Sequence, residues 1–505
     1  MVLLPVARPE PRSPVSPKNY ANVIDAIGFG PAQILTCAVS GAVWAADGAE
    51  LLILGSVTRA VWKLQAWQRG AVVSVVFIGI LLGNTSSGPI GDGVGRKLPV
   101  LASFVGIVVF SVLSASATGF IMLAAIRMFV GASFGIGQPA ILTLLNDITP
   151  SRWRVLVVSQ GQGLFCLGEI YAASLIWWND PSMQALDWRW LCIMGAIPSI
   201  TGFVLAYFFL KESPGYLLEN GHHEEAQAVL ESFKSWNGAD HVCCESVTAS
   251  SQARTPRSAR QNVEAIFSRS LILTTLAMMY SCFMLNCAFY GTLYSFPQVL
   301  TDVKTPYAPA VALIVGAMSE WPAFFVAPAL EQVVDKKVIL RVYPVVAASV
   351  LLMFIIGANG NGLLYSVLLQ AGYLGVKMIL GIGFVVVYAC ACTAFPVAVR
   401  TTGTAACIAG GRVGGILAPL IFEQLMESFG RVLLFEILIE PASDFYPDAD
   451  SSYFSWEAFF FFLTGGYILN ALIVFALKLE DSEDLEGLEE ALPVRSLAAK
   501  SFGSA

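Results

Sequence analysis

Charge is what this chain has least of. Asp, Glu, Lys and Arg make up 13% of its 505 residues, whereas a soluble fold of that length carries about 25% to solvate its surface. Hydrophobic residues reach 56% and the mean hydropathy is +0.69, so the solvent for most of the chain is lipid. Histidine is nearly absent: His222, His223 and His241 all fall in one polar stretch, which excludes a histidine proton relay through the apolar segments. No cysteine falls in a predicted outer loop, so a disulfide framework is not indicated. Cys37, Cys166, Cys192, Cys282, Cys287, Cys390, Cys392 and Cys407 sit in apolar segments and read as buried thiols. Cys243 and Cys244 adjoin each other without the two-residue spacer of a metal knuckle. A hydrolase triad, a zinc spacing and a Walker loop are also missing. Gly91-x-Gly93-x-Gly95 and Gly161-x-Gly163 do not follow a strand of a βαβ unit, as a phosphate cradle requires. No metal, cofactor or enzymatic activity is expected. The net charge of −7 implies no nucleic-acid partner.

What is present is a series of apolar runs of about 20 residues, enough to cross about 30 Å of hydrocarbon as helix. They lie near 33–57, 70–90, 98–118, 119–143, 155–178, 188–210, 271–300, 308–330, 338–358, 362–388, 401–425 and 455–478. They are too long and too little alternating for a transmembrane β-barrel. The fold class expected is therefore an all-α membrane protein of twelve transmembrane helices. Residues 1–30 are polar and proline-rich, unlike a cleavable signal peptide, and are expected to stay cytosolic. With that orientation most of the 29 Lys and Arg face the cytosol, as the positive-inside rule requires. Acidic residues gather in an outer loop (Glu427, Glu436, Glu440, Asp444, Asp448, Asp450) and in the tail from Glu480 to Glu490, where they read as solvated surface.

The runs fall into two halves. A cytosolic tail (1–30) precedes a six-helix bundle (31–210); a polar linker (211–270) leads to a second six-helix bundle (271–478) and an acidic cytosolic tail (479–505). Within the linker, a short amphipathic helix ending near Lys234 is expected to lie along the membrane face. Internal repetition supports the division. Asp147-Ile148-Thr149-Pro150 followed by Arg154 closes the fourth run, and Thr393-Ala394-Phe395-Pro396 followed by Arg400 closes the tenth. Gly135 and Gly137 match Gly381 and Gly383, and Asp92 precedes Arg154 much as Asp335 precedes Arg400. Repeated halves are a transporter signature, since rocking one against the other opens a central site to each side in turn.

Ionisable groups at spanning depth are costly unless paired or hydrated, so each is a functional candidate. Asp47 and Glu50 stand one turn apart on a face of the first span. Arg127, on the fourth, lies at a comparable depth, so an acid pair opposite a cation is expected. In the second half Glu320, Lys377 and Arg412 fall inside spans, with Asn286, Tyr290 and Tyr294 offering hydrogen bonds and aromatic faces on the seventh. Helix packing competes with a solute role for each, as it does for Glu169. A coupling proton would need a carboxylate: Asp47, Glu50 or Glu320.

The run Gly88-Pro89-Ile90-Gly91-Asp92-Gly93-Val94-Gly95-Arg96-Lys97 reads as a glycine-bent turn between two spans, and it resembles the signature loop of the major facilitator superfamily. Within that superfamily the chain is most similar to the synaptic-vesicle-two-related transporter-like proteins, near the sugar porters and organic-ion transporters. The supporting residues include Trp44 with Asp47-Gly48-Ala49-Glu50, Asp187-Trp188-Arg189-Trp190, Glu212-Ser213-Pro214, Ser319-Glu320-Trp321-Pro322 and Arg400-x-x-Gly403 continuing to Arg412-Val413-Gly414. The resemblance implies two six-helix bundles, a cavity lined by the first, fourth, seventh and tenth spans, and alternating access. It also implies that Asp92 and Arg96 latch helix ends at the inner gate, with Gly88, Gly95, Lys97, Asp147, Arg154 and Arg400 around them. Thr393 stands where the family often has Glu, and the second signature loop is reduced to Asp335-Lys336-Lys337, which points to an asymmetric gate. The linker also departs from the sugar-porter pattern at its ends. The expected function is transport of a small polar, charged organic solute, uncoupled or coupled to a proton or cation. The pathway would run past Asp47, Glu50, Arg127, Asn286, Tyr290, Glu320, Lys377 and Arg412, in a plasma or vesicle membrane. A transport-inactive binding protein of the same fold and a sugar porter are the alternatives.

Overall fold

The computed structural model describes residues 20–61, 64–242, 244, 247, 259–303, 305–396, 399–428 and 456–476. Residues 1–19, 479–505, Cys243 and the acidic run from Glu436 to Asp450 lie outside the described residues. Among those described, every regular element is a helix. Twelve stretches are long and apolar enough to cross a bilayer. In the first half these are α2 (Pro31–Val57), α3 (Ala66–Val94), α4 (Lys97–Ser114), α5 (Phe120–Ile148), α6 (Arg154–Asn179), and a sixth built from α7 (Trp188–Gly195) and α8 (Ile197–Phe209). The shorter helices are α1 (Tyr20–Ile27), α9 (Pro214–Glu219), α10 (His223–Asn237) and α11 (Ala259–Ile266). The second half holds α12 (Ile272–Val299), α13 (Pro309–Glu320) with α14 (Ala323–Val333), α15 (Lys336–Asn359), α16 (Leu363–Thr393), α17 (Arg400–Ser428) and α18 (Glu457–Ala476). The eighth span is broken after Glu320 because Pro322 cannot donate a helical hydrogen bond.

Among the described residues two compact units result, one within 1–61, 75–180 and 184–254, the other within 62–74, 181–183 and 255–505. Helix pairing inside the units repeats at an interval of six spans. In the first, α2 packs along α6, α4 along α5, and α8 against both α2 and α4. In the second, α12 packs along α17, α15 along α16, and α18 against both α12 and α15. Small residues permit these approaches. A Cβ added at Gly168 of α6 would strike the Ala45 carbonyl of α2, and one at Gly414 of α17 would strike the Phe283 carbonyl of α12.

Four sequence expectations change. The run from Gly88 is not a turn throughout: α3 continues through Pro89 to Val94, and only Gly95, at φ +90°, reverses the chain. Residues 20–27, read as part of a tail, form helix α1 with Val23, Ile24 and Ile27 buried. The described first part of the linker, to Val247, belongs to the first unit. There α10 buries Ala226, Leu230 and Phe233 against its neighbours and ends on Gly238 in the left-handed region. Cys392 is exposed, unlike the other described span cysteines, which are buried or half-buried.

Candidate functional site

In the first unit, Asp47 and Glu50 lie one turn apart on α2, and both are buried. Arg127, on α5, is buried with them; its Nη1 meets Glu50 Oε2 at 2.5 Å, and its Nη2 donates to Cys192 Sγ of α7 at 2.8 Å. Asp47 turns instead to Gln138, whose Nε2 donates to Oδ2 at 2.9 Å. The acid pair expected to face one cation thus divides. The antiparallel run of spans one and four brings the arginine to Glu50 first and the glutamine to Asp47. Asp187 caps α7 by accepting the Arg189 and Trp190 N–H groups, which fixes the register that delivers Cys192. Glu50 Oε1 and Arg127 Nε are buried without a hydrogen-bond partner among the described residues. Glu169 is buried on α6.

The second unit holds its own pair. Lys377 Nζ of α16 lies 2.6 Å from Glu320 Oε2, at the broken end of α13, and 5.7 Å from the centre of the Phe289 ring. Phe289 meets Phe384 edge-on with centroids 4.6 Å apart, and Phe384 adjoins Tyr388 at 5.7 Å. Asn286 Nδ2 donates to the Tyr388 hydroxyl at 2.9 Å, and Arg412 Nη1 reaches the Tyr290 hydroxyl at 3.4 Å. Every second-half pathway residue named from the sequence except Tyr294 therefore belongs to one polar and aromatic cluster. Phe384 and Tyr388 escaped the sequence reading, although they stand seven and eleven residues after Lys377, on the same helical face. Tyr294 instead donates to Glu423 Oε1, whose other oxygen accepts from Arg69 Nη2 at 2.6 Å and Nε at 3.1 Å. Arg69 lies just before the run 70–90 and Glu423 near the close of the run 401–425, and the sequence reading names neither.

The signature run is organised differently from the expected latch. Asp92 is largely exposed and touches Arg96 at 3.5 Å within its own segment. Glu212 supplies the tighter contact: its two oxygens accept the Arg96 and Lys97 backbone N–H groups at 2.8 and 3.0 Å. A carboxylate at the N-terminus of α4 is stabilised by the helix dipole. Gly95 has no side chain because a Cβ there would collide with Glu212. The Arg96 guanidinium lies over the Tyr216 ring at 4.8 Å, and Asp147 Oδ2 accepts from the Ser213 hydroxyl at 2.5 Å. Tyr20 donates to the Asp147 backbone carbonyl; burial, reinforced by the Asp147 charge, pushes its phenol up, so it stays a donor. Arg154 Nε donates to the Thr149 carbonyl at 3.1 Å and Arg400 Nε to the Phe395 carbonyl at 3.3 Å. Each bond spans five residues around the matching proline, so the repeat seen in sequence is a repeat of local geometry. In place of a second latch, Asp335 caps α15 by accepting the Lys337 N–H at 2.8 Å.

Residues 31–478 match the family described as "Sugar (and other) transporter". The chain belongs to that family. It is 26% identical over 472 residues to a synaptic vesicle 2-related protein of Xenopus laevis, covering 85% of this chain and 83% of that one. It is also 26% identical over 465 residues to organic cation/carnitine transporter 7 of Arabidopsis thaliana, covering 82% and 90%. Among solved structures, the xylose transporter XylE from E. coli in a partially occluded inward-open conformation superposes with a TM-score of 0.64. That match has 14% identity and covers 92% of this chain and 100% of that one, which shows the shared fold. With its twelve candidate spans, the chain is a multi-pass membrane transporter of the major facilitator type. Its relatives include proteins named as transporters, in keeping with a role other than catalysis.

Proposed function

We propose that this chain moves a small polar, charged organic solute by alternating access, as a facilitator or as a secondary-active carrier. The observation that carries the proposal is the buried acid–base pair in each unit, Glu50–Arg127 and Glu320–Lys377. Ionisable groups at spanning depth cost several kcal/mol unless paired or hydrated, and a charged solute exchanges with such pairs without leaving a lone charge in lipid. Asp47, Asn286, Tyr290 and Arg412 complete the pathway, and the aromatic faces beside Lys377 suit the apolar part of an organic ion. The name of the organic cation/carnitine relative supports a charged solute. A coupling proton would sit on Asp47, Glu50 or Glu320. Gly88, Asp92, Gly95, Arg96, Lys97, Asp147, Arg154 and Arg400 govern the inner gate, both termini face the cytosol, and the host is a plasma or vesicle membrane.

Uptake into vesicles holding the purified protein tests this, using a panel of organic anions, organic cations and sugars under proton and sodium gradients. Saturable uptake of a charged organic solute, abolished by Arg127→Gln or Lys377→Gln in protein that remains folded, is expected. Uptake of none of the panel by folded wild type overturns the proposal, and uptake of a neutral sugar alone overturns the assignment of charge.

A further inference from the structure

Between α4 and α8 of the first unit runs a groove of about 560 Å³ walled by Leu98, Leu101, Val105, Val109, Phe203 and Tyr207, among others, and almost wholly apolar. Leu98, Val105, Val109 and Tyr207 are exposed. Because both helices belong to candidate spans, the groove opens toward acyl chains. Its two ends differ. At the end where α4 begins, Lys97 Nζ lies 3.5 Å from the Tyr207 carbonyl on the last turn of α8. Lys211 follows two residues beyond α8, at the same end of the groove. The carboxylate beside them, Glu212, is shared among the backbone N–H groups of Arg96, Lys97 and Ser213. Arg96 is occupied by Asp92 and by the Tyr216 ring. An apolar channel thus ends near Lys97 and Lys211 at the edge of the spanning region, with the neighbouring Glu212 engaged by backbone N–H groups.

We propose that this groove and its lysine pair bind an anionic phospholipid, with an acyl chain along the α4–α8 channel and the phosphate between Lys97 and Lys211. The geometry matches the chemistry of such a lipid at both ends. Lipid tails are as apolar as the groove, so the chain alone confers little preference over bulk bilayer. Selectivity comes from the headgroup: a phosphate meets both ammonium groups, and each lysine near a membrane surface favours an anionic lipid about fivefold. The proposal does not depend on what the protein carries.

The test uses the full chain purified in micelles doped with phosphatidylglycerol or phosphatidylcholine, with retained lipid counted by native mass spectrometry. Wild type is expected to retain phosphatidylglycerol in preference to phosphatidylcholine. Lys97→Gln with Lys211→Gln is expected to weaken phosphatidylglycerol retention by about twenty-five-fold and leave phosphatidylcholine unchanged. Lys97→Arg with Lys211→Arg, which keeps both charges, restores retention and separates loss of charge from loss of fold. Val105→Trp, which fills the channel, lowers retention with both lysines present. Equal retention of the two lipids by wild type, or undiminished phosphatidylglycerol on the double glutamine variant, overturns the proposal. So does competition by inorganic phosphate with no effect of Val105→Trp, or a dimer that covers the groove.

Discussion

Glu50 and Arg127 are both almost inaccessible and held at 2.5 Å, so removing either leaves the other charged and buried. Glu50→Gln is expected to destabilise the folded protein by about 3–5 kcal/mol, read as a lowered midpoint of thermal unfolding in detergent. The double variant Glu50→Gln with Arg127→Gln is expected to lose less than the sum of the two single losses; additive losses would show that the pair is not coupled. Asp47 differs in accepting a hydrogen bond from the neutral Gln138 amide. Asp47→Asn keeps an acceptor for that amide and should cost about 1 kcal/mol or less. If Asp47 carries the coupling proton, this variant keeps solute exchange and loses the pH dependence of uptake; unchanged pH dependence assigns the proton elsewhere. At this scale the sequence was informative about which residues are unusual and less so about whom they meet. Depth along a helix brought Arg127 level with the two acids. The choice between them depended on Gln138 and on Cys192, whose position follows from a cap five residues upstream at Asp187. Arg69 and Glu423 were invisible because a charge at the end of an apolar run reads as solvated, and only the fold buries Glu423 against Tyr294.

Among the elements, α4 depends on a residue that is distant in sequence. Gly95 combines a left-handed backbone with contact to Glu212. Gly95→Ala is therefore expected to destabilise by about 1–3 kcal/mol, where the same change at Gly93, which faces open space, has a smaller effect. Comparison of the two unfolding midpoints checks this, and equal shifts would contradict the role given to Gly95. Helix α10 is pinned in the same manner. Asn237 Nδ2 donates to the Gly28 carbonyl at 3.0 Å and to Gln33 Oε1 at 2.9 Å, while its Oδ1 accepts the Ala32 N–H. Asn237→Ala should speed hydrogen exchange across α10 and the start of α2, leaving the second unit unchanged; unaltered exchange would mean that the Ala226, Leu230 and Phe233 face holds the helix alone. The signature run was recognisable by its residues but not by its conformation. Glycines at 88, 91 and 93 suggested a long turn, yet the hydrogen-bonded helix persists to Val94 and only one glycine is needed to reverse the chain. The amphipathic helix of the linker was legible from its spacing, while its attachment through Asn237 was not.

For the whole molecule, twelve apolar runs of bilayer length gave the architecture, since lipid demands that each crossing satisfy its own backbone. Duplication was legible from Pro150 with Arg154 and Pro396 with Arg400, and the structure shows why: the two arginines make the same bond to the carbonyl of the residue before each proline. The helix pairings repeat with it. Unit boundaries were harder to read, because short segments at 62–74 and 181–183 pack with the second unit although they lie within the first half of the chain. The central claim is that the residues around Glu50–Arg127 and Glu320–Lys377 are exposed to each side of the membrane in turn. Single cysteines replacing Gln138 and Tyr388, in an otherwise cysteine-free chain reconstituted in one orientation, can be labelled with a membrane-impermeant thiol reagent from either side. Labelling of both positions from both sides, with a transported solute shifting the balance, is the result predicted. Labelling from one side only, whatever solute or gradient is applied, would contradict the account.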